Sequence, residues 1–405
     1  MSVDRVKARI MTVMRNLPPL PEVTRRLMAV MRDEEASAKD VAKVLSSDQA
    51  LAGKVLKLAN SSFYGVANEV TTISRAVVIM GFTGIRNMAL SFGTMSALKN
   101  LDSGLDLAAF WGHAMANAAA VQVLAPHVNR RIDPEEAFLA GLMHDIGAYV
   151  LAAAVPDEYR QVLAADTGSL EDRERDATGF THAQVGQGLL QFWELPQAFA
   201  DAARYHHDIE KAASGEQPLT TLVALADILA CIHGGSFEPP ASEEHLGRLM
   251  QSAGLSAEAL MIALTGMNQK IDEMRDFVQI AGAGPTRTVE SVLEGSSCVV
   301  ITTDDQRREW VSALLGHFGH RIFPMQAYFN QEGGSADVRL VLVDPQTLTR
   351  EQVTRLMPFL ESQSAVVCIL TESGTRPPEH LQQHPSLNFI FTRDQLNAVL
   401  MMQPA

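Results

Sequence analysis

Seven residues between positions 113 and 227 stand out among those of the types that hold metal ions or move protons: His113, the adjacent His144 and Asp145, His182, the adjacent His206 and His207, and Asp227. Several are flanked by apolar residues on both sides, as in GLMHDIG (141–147) and ALADILA (224–230). An unpaired carboxylate in the second setting is costly to bury, so a metal ion, an Arg or a protonated His should meet it. Taken singly, each His reads as a hydrogen-bonded core residue, with Asp227 paired to one of them. Taken as a set, they offer the mixed nitrogen and oxygen ligation that suits Mn, Fe, Zn or Mg. A second group, Asp304, Asp305, Asp344, Thr371 and Arg393, falls at the ends of short apolar runs near the C-terminus. Carboxylates gathered at one sheet edge repel one another unless they bind Mg²⁺ or stay solvated.

Two kinds of element must position these groups. Up to about residue 281 the apolar residues recur at helical period. Val3, Val6, Ile10, Val13 and Leu17 predict a first helix that stops at Pro18-Pro19. Val23, Leu27, Val30 and Met31 predict a second, opening at Pro21-Glu22. Ser37 with Asp40 reads as an N-terminal cap, and Ser46 with Gln49 as a capping box for a helix ending near Asn60. Thr72 and Thr83 are placed to cap two further short helices. Such capped helices resemble a helix-turn-helix, but Lys54, Lys57 and Arg86 are too few for a groove-binding face. From Leu107 to Gly234 the helices lengthen and become Ala-rich, which favours close packing and a rigid buried polar site.

After GGSFEPPAS (234–242) and AGAGP (281–285) the pattern changes, and we place the main boundary near residue 290. Strands are predicted at Cys298–Thr303, His320–Met325, Val338–Asp344, Ala365–Thr371 and Phe389–Thr392, with a helix carrying Trp310, Leu314 and Leu315 and another over Leu348–Leu360. Alternating strands and helices with continuous apolar runs predict a parallel sheet covered on both faces, whose functional groups gather at the strand C-termini.

Composition narrows the function classes. The chain has 405 residues, 47% apolar and 20% charged, which excludes disorder as its dominant state and predicts two or three domains. Its formal charge of −14 weighs against general binding of nucleic acid. Cys231, Cys298 and Cys368 lie far apart with no CxxC, as in a reducing compartment. Apolar runs such as Ala76–Phe82 are far shorter than a membrane span, and the N-terminus offers no signal-peptide core. The expectation is a soluble cytoplasmic protein.

The order His113, His144-Asp145, Asp227 is similar to the H…HD…D pattern of the HD superfamily of metal-dependent phosphohydrolases. LPPLPEV (17–23), DQALAGKVLKLANSSFYG (48–65) and ISRAVVIMGFTGIRN (73–87) resemble the HDOD family, a helical relative of HD-GYP that usually serves bacterial signalling as an output module. The resemblance covers roughly residues 10 to 235. It implies a metal at His113, His144, Asp145 and Asp227, and places His182, His206 and His207 where HD-GYP proteins ligate a second ion. HDOD proteins often lose part of this set and are generally regarded as lacking demonstrated hydrolase activity. This chain keeps the set, yet Ala148 and Tyr149 stand where HD-GYP enzymes carry a Lys, and HHDIEKAASGEQ (206–217) lacks the GYP loop. The C-terminal part resembles a response-regulator receiver, which implies Asp304 and Asp305 for Mg²⁺, Asp344 as phospho-acceptor and Thr371 as switch hydroxyl. Arg393 in place of the receiver's Lys, the short QEGGSAD (331–337) connection and a curtailed last helix mark it as degenerate.

The expected architecture is therefore an all-α HDOD domain over 1–290, comprising a short-helix part (about 1–100), an HD-like bundle (about 101–235) and a helical extension (about 236–290), then a doubly wound α/β receiver-like domain over 291–405. The expected function is bacterial signal transduction, the HDOD module binding a partner protein or small ligand under modulation by the receiver-like domain, with no membrane and with self-association open. The alternative is a metal-dependent phosphohydrolase acting on a nucleotide or cyclic dinucleotide.

Overall fold

A computed structural model of the chain describes residues 2–17, 21–30, 33, 35–61, 64–98, 101, 103–165, 168–233, 242–281, 296–329, 338–361, 365–371, 376–388, 391 and 395–396. The first part is helical throughout. α1 (Val3–Asn16), α2 (Glu22–Val30), α3 (Ala38–Leu45), α4 (Gln49–Ala59) and α5 (Ile73–Leu98) precede the Ala-rich α6 (Leu107–Leu124). Then follow α7 (Pro134–Met143), α8 (Ile146–Ala154), α9 (Pro156–Ala164), α10 (Leu170–Thr178), α11 (His182–Phe192), α12 (Gln197–Tyr205), the one-turn α13 (Ile209–Ala212) and α14 (Pro218–His233). α15 (Glu243–Ala253) and α16 (Ala257–Ala281) complete the helical body.

Local chemistry accounts for most boundaries. Ser37 and Asp40 form the expected capping box on α3. Ser46 does not cap the next helix; it ends α3, and Asp48 caps α4 by accepting from the Leu51 amide at 2.9 Å. The buried stripe of α1 is Val6, Ile10, Met14 and Leu17, while Val3 is exposed. Val23 and Leu27 of α2 are buried as expected, and Met31 lies outside the described residues. The two helices expected after Thr72 are present within the span Ile73–Leu98, separated by a kink at Gly81, whose non-helical φ of 70° is one that glycine permits. Three stretches, Ile73–Leu98, Leu107–His127 and Pro134–Ala154, are long and apolar enough by length and composition to cross a membrane, contrary to the reading of short apolar runs. Their apolar windows are 67%, 67% and 89% buried inside the protein, so packing against neighbouring helices accounts for their composition.

The second part is a five-stranded parallel sheet of β1 (Ser297–Ile301), β2 (Arg321–Ile322), β3 (Val338–Val343), β4 (Val366–Thr371) and β5 (Ser386–Asn388), in the order β2-β1-β3-β4-β5. α17 (Asp305–His317), α18 (Met325–Phe329) and α19 (Arg350–Glu361) connect the strands. The strand expected over His320–Met325 shrinks to two residues because Met325 opens α18; β5 is described over Ser386–Asn388, and the strand expected over Phe389–Thr392 lies outside the described residues apart from Phe391. Alternate residues divide between two cores, as the two-residue period of a strand requires. Val299, Ile301, Val341, Val343, Val367 and Ile369 pack with Val353, Met357 and Leu360 of α19. Cys298, Val300, Leu340, Leu342, Cys368 and Leu370 join, with Val311, Leu314 and Leu315 of α17, the apolar core that continues into the helical body.

One close approach sets the geometry of the functional region. A Cβ at Gly147, the second residue of α8, would overlap the His182 carbonyl oxygen and the Gly186 amide nitrogen of α11. Two glycines thus let α8 and α11 cross almost backbone to backbone. Gly147→Ala should destabilise the protein by about 3 kcal/mol or more, because backbone atoms cannot swing aside. Gly53→Ala, on the exposed side of α4 with nothing within 4 Å, should instead stabilise by about 0.5–1 kcal/mol. Thermal and urea unfolding of the two variants should move in opposite directions.

Candidate metal centre

The seven residues singled out in the sequence converge on one buried centre. His113 lies on α6, His144 and Asp145 form the junction of α7 with α8, and His182 opens α11 behind a Thr181–Gln184 capping box. His206 ends α12, His207 follows it, and Asp227 sits inside α14. Asp145 is central. Its Oδ2 lies 3.3 Å from His144 Nε2 and 3.6 Å from His113 Nε2, and its Oδ1 lies 3.3 Å from His206 Nε2 and 3.5 Å from His182 Nε2. Asp227 Oδ1 approaches His113 Nε2 at 2.9 Å and His144 Nε2 at 3.4 Å, while Oδ2 is 3.8 Å from His207 Nδ1.

The far sides of three rings are tied down. His144 Nδ1–H donates to the Gly141 carbonyl at 2.7 Å and His206 Nδ1–H to the Ala203 carbonyl at 3.0 Å. His182 Nδ1–H donates at 2.8 Å to Glu174 Oε2, a fully buried carboxylate that also accepts from the His182 amide and the Tyr159 hydroxyl, both at 2.7 Å. Each neutral ring therefore presents a bare Nε2 lone pair to the centre. Lone pairs then face carboxylate oxygens, and the Nε2 atoms of His182 and His206 face each other at 3.5 Å. Acceptors opposed in this way require a proton or a cation between them. Asp145 Oδ1 and His113 Nδ1 are, moreover, buried without a hydrogen-bond partner among the described residues. The donor set fits a divalent ion, with the outer hydrogen bonds fixing tautomer and ring orientation as at known metal sites.

Three overlapping groups have ligand atoms all within 4.8 Å of one another: Asp145, His182, His206 and His207; His113, His144 and Asp145; and His113, Asp227 and Cys231. Ligands about 2.0–2.3 Å from one ion span distances of this order. Asp145 belongs to two groups and could bridge two ions. Sequence reasoning missed Cys231, Glu174 and Asn117. Cys231 follows Asp227 by one helical turn and Asn117 follows His113 by the same interval, so spacing held a signal for both. Asn117 Nδ2 lies 3.4 Å from His144 Nε2 and donates to the Val223 carbonyl. Glu174 sits in the charged segment LEDRERDAT, which looks like a solvated face. Ala148 and Tyr149 are buried, and the Tyr149 hydroxyl donates to the Leu101 carbonyl.

The C-terminal candidates do not assemble a comparable group. Asp344 is fully buried at the end of β3, beside the point where the strand order reverses. Its carboxylate accepts from Thr302 Oγ1 at 3.1 Å, the Gln346 amide at 3.1 Å and Arg307 Nη1 at 3.3 Å. Asp304 caps α17 and Asp305 pairs with Arg308 at 2.5 Å, so each is engaged within its own turn. Thr371 Oγ1 donates to the Leu387 carbonyl at 3.5 Å, and Arg393 lies outside the described residues. No metal-holding group of His, Cys, Asp or Glu involves these positions among the described residues.

Comparison with known proteins agrees with the helical part. Residues 17–209 match the family model of the HDOD domain, so the chain carries an HDOD domain. An uncharacterized protein of Treponema pallidum (strain Nichols) is 25% identical over 216 residues, 53% of this chain and 42% of that protein, so the chain spans less than half of that relative's length. A solved structure from Shewanella amazonensis SB2B, provisionally named a phosphohydrolase, is 26% identical with a TM-score of 0.53, covering 68% of this chain and 98% of that one. Another from Marinobacter aquaeolei VT8, provisionally named a signal transduction protein, is 24% identical with a TM-score of 0.54 over 69% of this chain and 66% of that one, a likeness of fold.

Protonation of the ion-free centre follows from its contacts. Burial opposes charge on His144, but Asp145 and Asp227 outweigh it and push the imidazole up to about 10. Burial likewise opposes charge on the carboxyls, yet His144, His206 and His182 hold Asp145, and His113, His144 and His207 hold Asp227, well below the usual carboxylate range. The raised His144 contributes stability that is full below its ordinary value of about 6.5 and lost as pH rises through about 10. The carboxylates contribute stability present above about 3.8 and lost as pH falls through their lowered values. A divalent ion must displace the His144 proton, so uptake near pH 7.5 should release about one proton per chain or more. Calorimetry in buffers of different ionisation enthalpy measures this, and uptake without proton release would contradict a protonated His144.

Proposed function

We propose that the HDOD domain carried by this chain is a metal-centred regulatory module of a cytoplasmic bacterial signal-transduction protein, binding a partner protein or small ligand without turning over cyclic dinucleotides. His113, His144, Asp145 and Asp227 would hold one divalent ion, and Asp145, His182, His206 and His207 a second. The observation that carries the reading is the cavity above them. It encloses about 270 Å³ and is lined by Glu171, His206, His207, Asp227, Cys231 and His245 among others, with no Lys or Arg among its described lining residues. Phosphoryl chemistry draws on cationic side chains that meet the charge left uncovered by metal. Here the lining carries the Glu171 carboxylate instead, and the volume of about 270 Å³ lies below the roughly 300 Å³ where small-molecule sites begin.

A second reading, a metal-dependent phosphohydrolase, is favoured by one feature, the placing of Asp145 between two ligand groups as in two-metal hydrolases. The provisional name of the Shewanella protein points the same way. In such a reaction the ions would supply an activated water and charge stabilisation, while His144 and Asp145 would orient them. Ala148 offers nothing to the substrate phosphate.

We read the sheet domain as receiver-like and degenerate. Its strand order and the position of Asp344 at the strand-order switch support the likeness. The engagement of Asp344 by Arg307 and Thr302 supports the degeneracy, since a guanidinium and a hydroxyl occupy the carboxylate that Mg²⁺ and a phosphoryl donor would need. The apolar core shared between the sheet and the helical body supports constitutive packing as its mode of action.

Elemental analysis should find Mn, Fe or Zn in the purified protein, and Asp145→Ala should lose that metal and melt at a lower temperature, because an ion bound only by the native state stabilises it. Unchanged metal content and melting in that variant would remove the metal reading. Cyclic di-GMP with added Mn²⁺ should show no hydrolysis above background; turnover that disappears in His144→Ala would promote the phosphohydrolase reading. Incubation with acetyl phosphate and Mg²⁺ should leave the intact mass unchanged, whereas a phosphoryl gain lost in Asp344→Asn would make the sheet domain a working receiver.

A further inference from the structure

We infer that Cys231 is a ligand of the ion held by His113 and Asp227, which makes this half of the centre a mixed nitrogen, oxygen and sulfur site selective for a softer divalent ion such as Zn²⁺ or Fe²⁺ over Mg²⁺. The inference rests on the metal reading above and names the ion class that reading leaves open.

Asp227 and Cys231 are four residues apart on α14 and therefore point from the same face of that helix. The face meets α6, which brings His113 across from them. One ligand atom each from His113, Asp227 and Cys231 lie within 4.8 Å of one another, and all three residues are more than nine-tenths buried. His113 Nε2 is 2.9 Å from Asp227 Oδ1, and its Nδ1 has no hydrogen-bond partner among the described residues. Bonds of about 2.0–2.1 Å to nitrogen and oxygen and about 2.3 Å to sulfur let one ion be spanned by donors at such separations after small side-chain adjustments. Cys231 also lines the cavity over the centre together with Asp227, His206 and His207.

The chemistry of the thiol fits. A free thiol near pH 8.5 is mostly protonated at neutrality, but a coordinating metal deprotonates it outright. The proton leaves to solvent as the sulfur–metal bond forms, and no oxidant or reductant is needed. Thiolate ligation favours Zn²⁺ and Fe²⁺, whereas Mg²⁺ accepts almost only oxygen. The remaining cysteines serve as internal controls. Cys298 and Cys368 are buried in the sheet, where burial pushes the Cys298 thiol up to about 12 and raises Cys368 as well.

Cobalt is the probe that reads sulfur directly. The full-length protein, stripped of metal and loaded with Co²⁺, should show visible d–d bands together with an intense near-ultraviolet thiolate-to-cobalt band. In Cys231→Ser the d–d bands should persist and the charge-transfer band should vanish, with Zn²⁺ affinity lowered on the order of 100-fold. ¹¹³Cd magnetic resonance of the unaltered protein gives the same answer without a variant, because a sulfur ligand shifts the cadmium signal strongly downfield of an all-nitrogen-and-oxygen site. Cobalt bound without the charge-transfer band, and cadmium at a nitrogen–oxygen shift, would overturn sulfur ligation while leaving the metal centre intact. No cobalt or cadmium bound at all would overturn both.

Discussion

Lone pairs directed at lone pairs are the constraint around which the helical body is organised. Carbonyl and carboxylate acceptors outside the centre hold the Nδ1 protons of His144, His182 and His206, so in the neutral rings the opposite nitrogens enter it bare. There they meet Asp145 and Asp227, which are acceptors too. Taking such a collection out of water costs several kcal/mol per ion unless opposite charge compensates it. In the ion-free protein a proton on His144 supplies part of that compensation; a divalent ion supplies more and needs no donor geometry. The rest of the bundle serves to keep these groups together. Alanine-rich α6 and α14 approach closely, and the glycine crossing of α8 with α11 brings His182 to Asp145.

The C-terminal sheet obeys a different economy. Its carboxylates are satisfied by neighbours within the protein: Asp304 by a helix end, Asp305 by Arg308, Asp344 by Arg307 and Thr302. Hydrogen bonds from Thr303 to Thr347 stitch the loops after β1 and β3 together across the strand-order switch. Asp344, the buried one of the three, thus meets the same problem as Asp145 and Asp227 in a contrasting way. The helical centre leaves a charge for an outside ion to meet, and the sheet closes the account internally.

The pattern of residues predicted the helical body, the parallel sheet and all seven groups of the centre, because each depends on period or residue type. It failed where two signals compete. Ser46 and Asp48 are both good caps, and only the end of α3 decides between them. Glu174 was hidden for another reason. Its helix is charged on most positions, and nothing local distinguishes the one carboxylate that turns inward to His182.

The matched HDOD segment ends at residue 209, yet α14 begins at Pro218 and carries Asp227 and Cys231 into the centre. Recognisable ancestry and cooperative folding therefore have different borders in this chain. A fragment trimmed to the recognisable border would keep His113, His144, Asp145, His182, His206 and His207 but lose the helix that packs along α6 and carries Asp227. The face of α6 that α14 covers would then open to solvent, and His113, His144 and His207 would lose the Asp227 carboxylate at the same cut. Excision guided by resemblance alone would yield an aggregation-prone remnant, whereas a border drawn beyond His233 keeps the smallest piece in which the centre is whole.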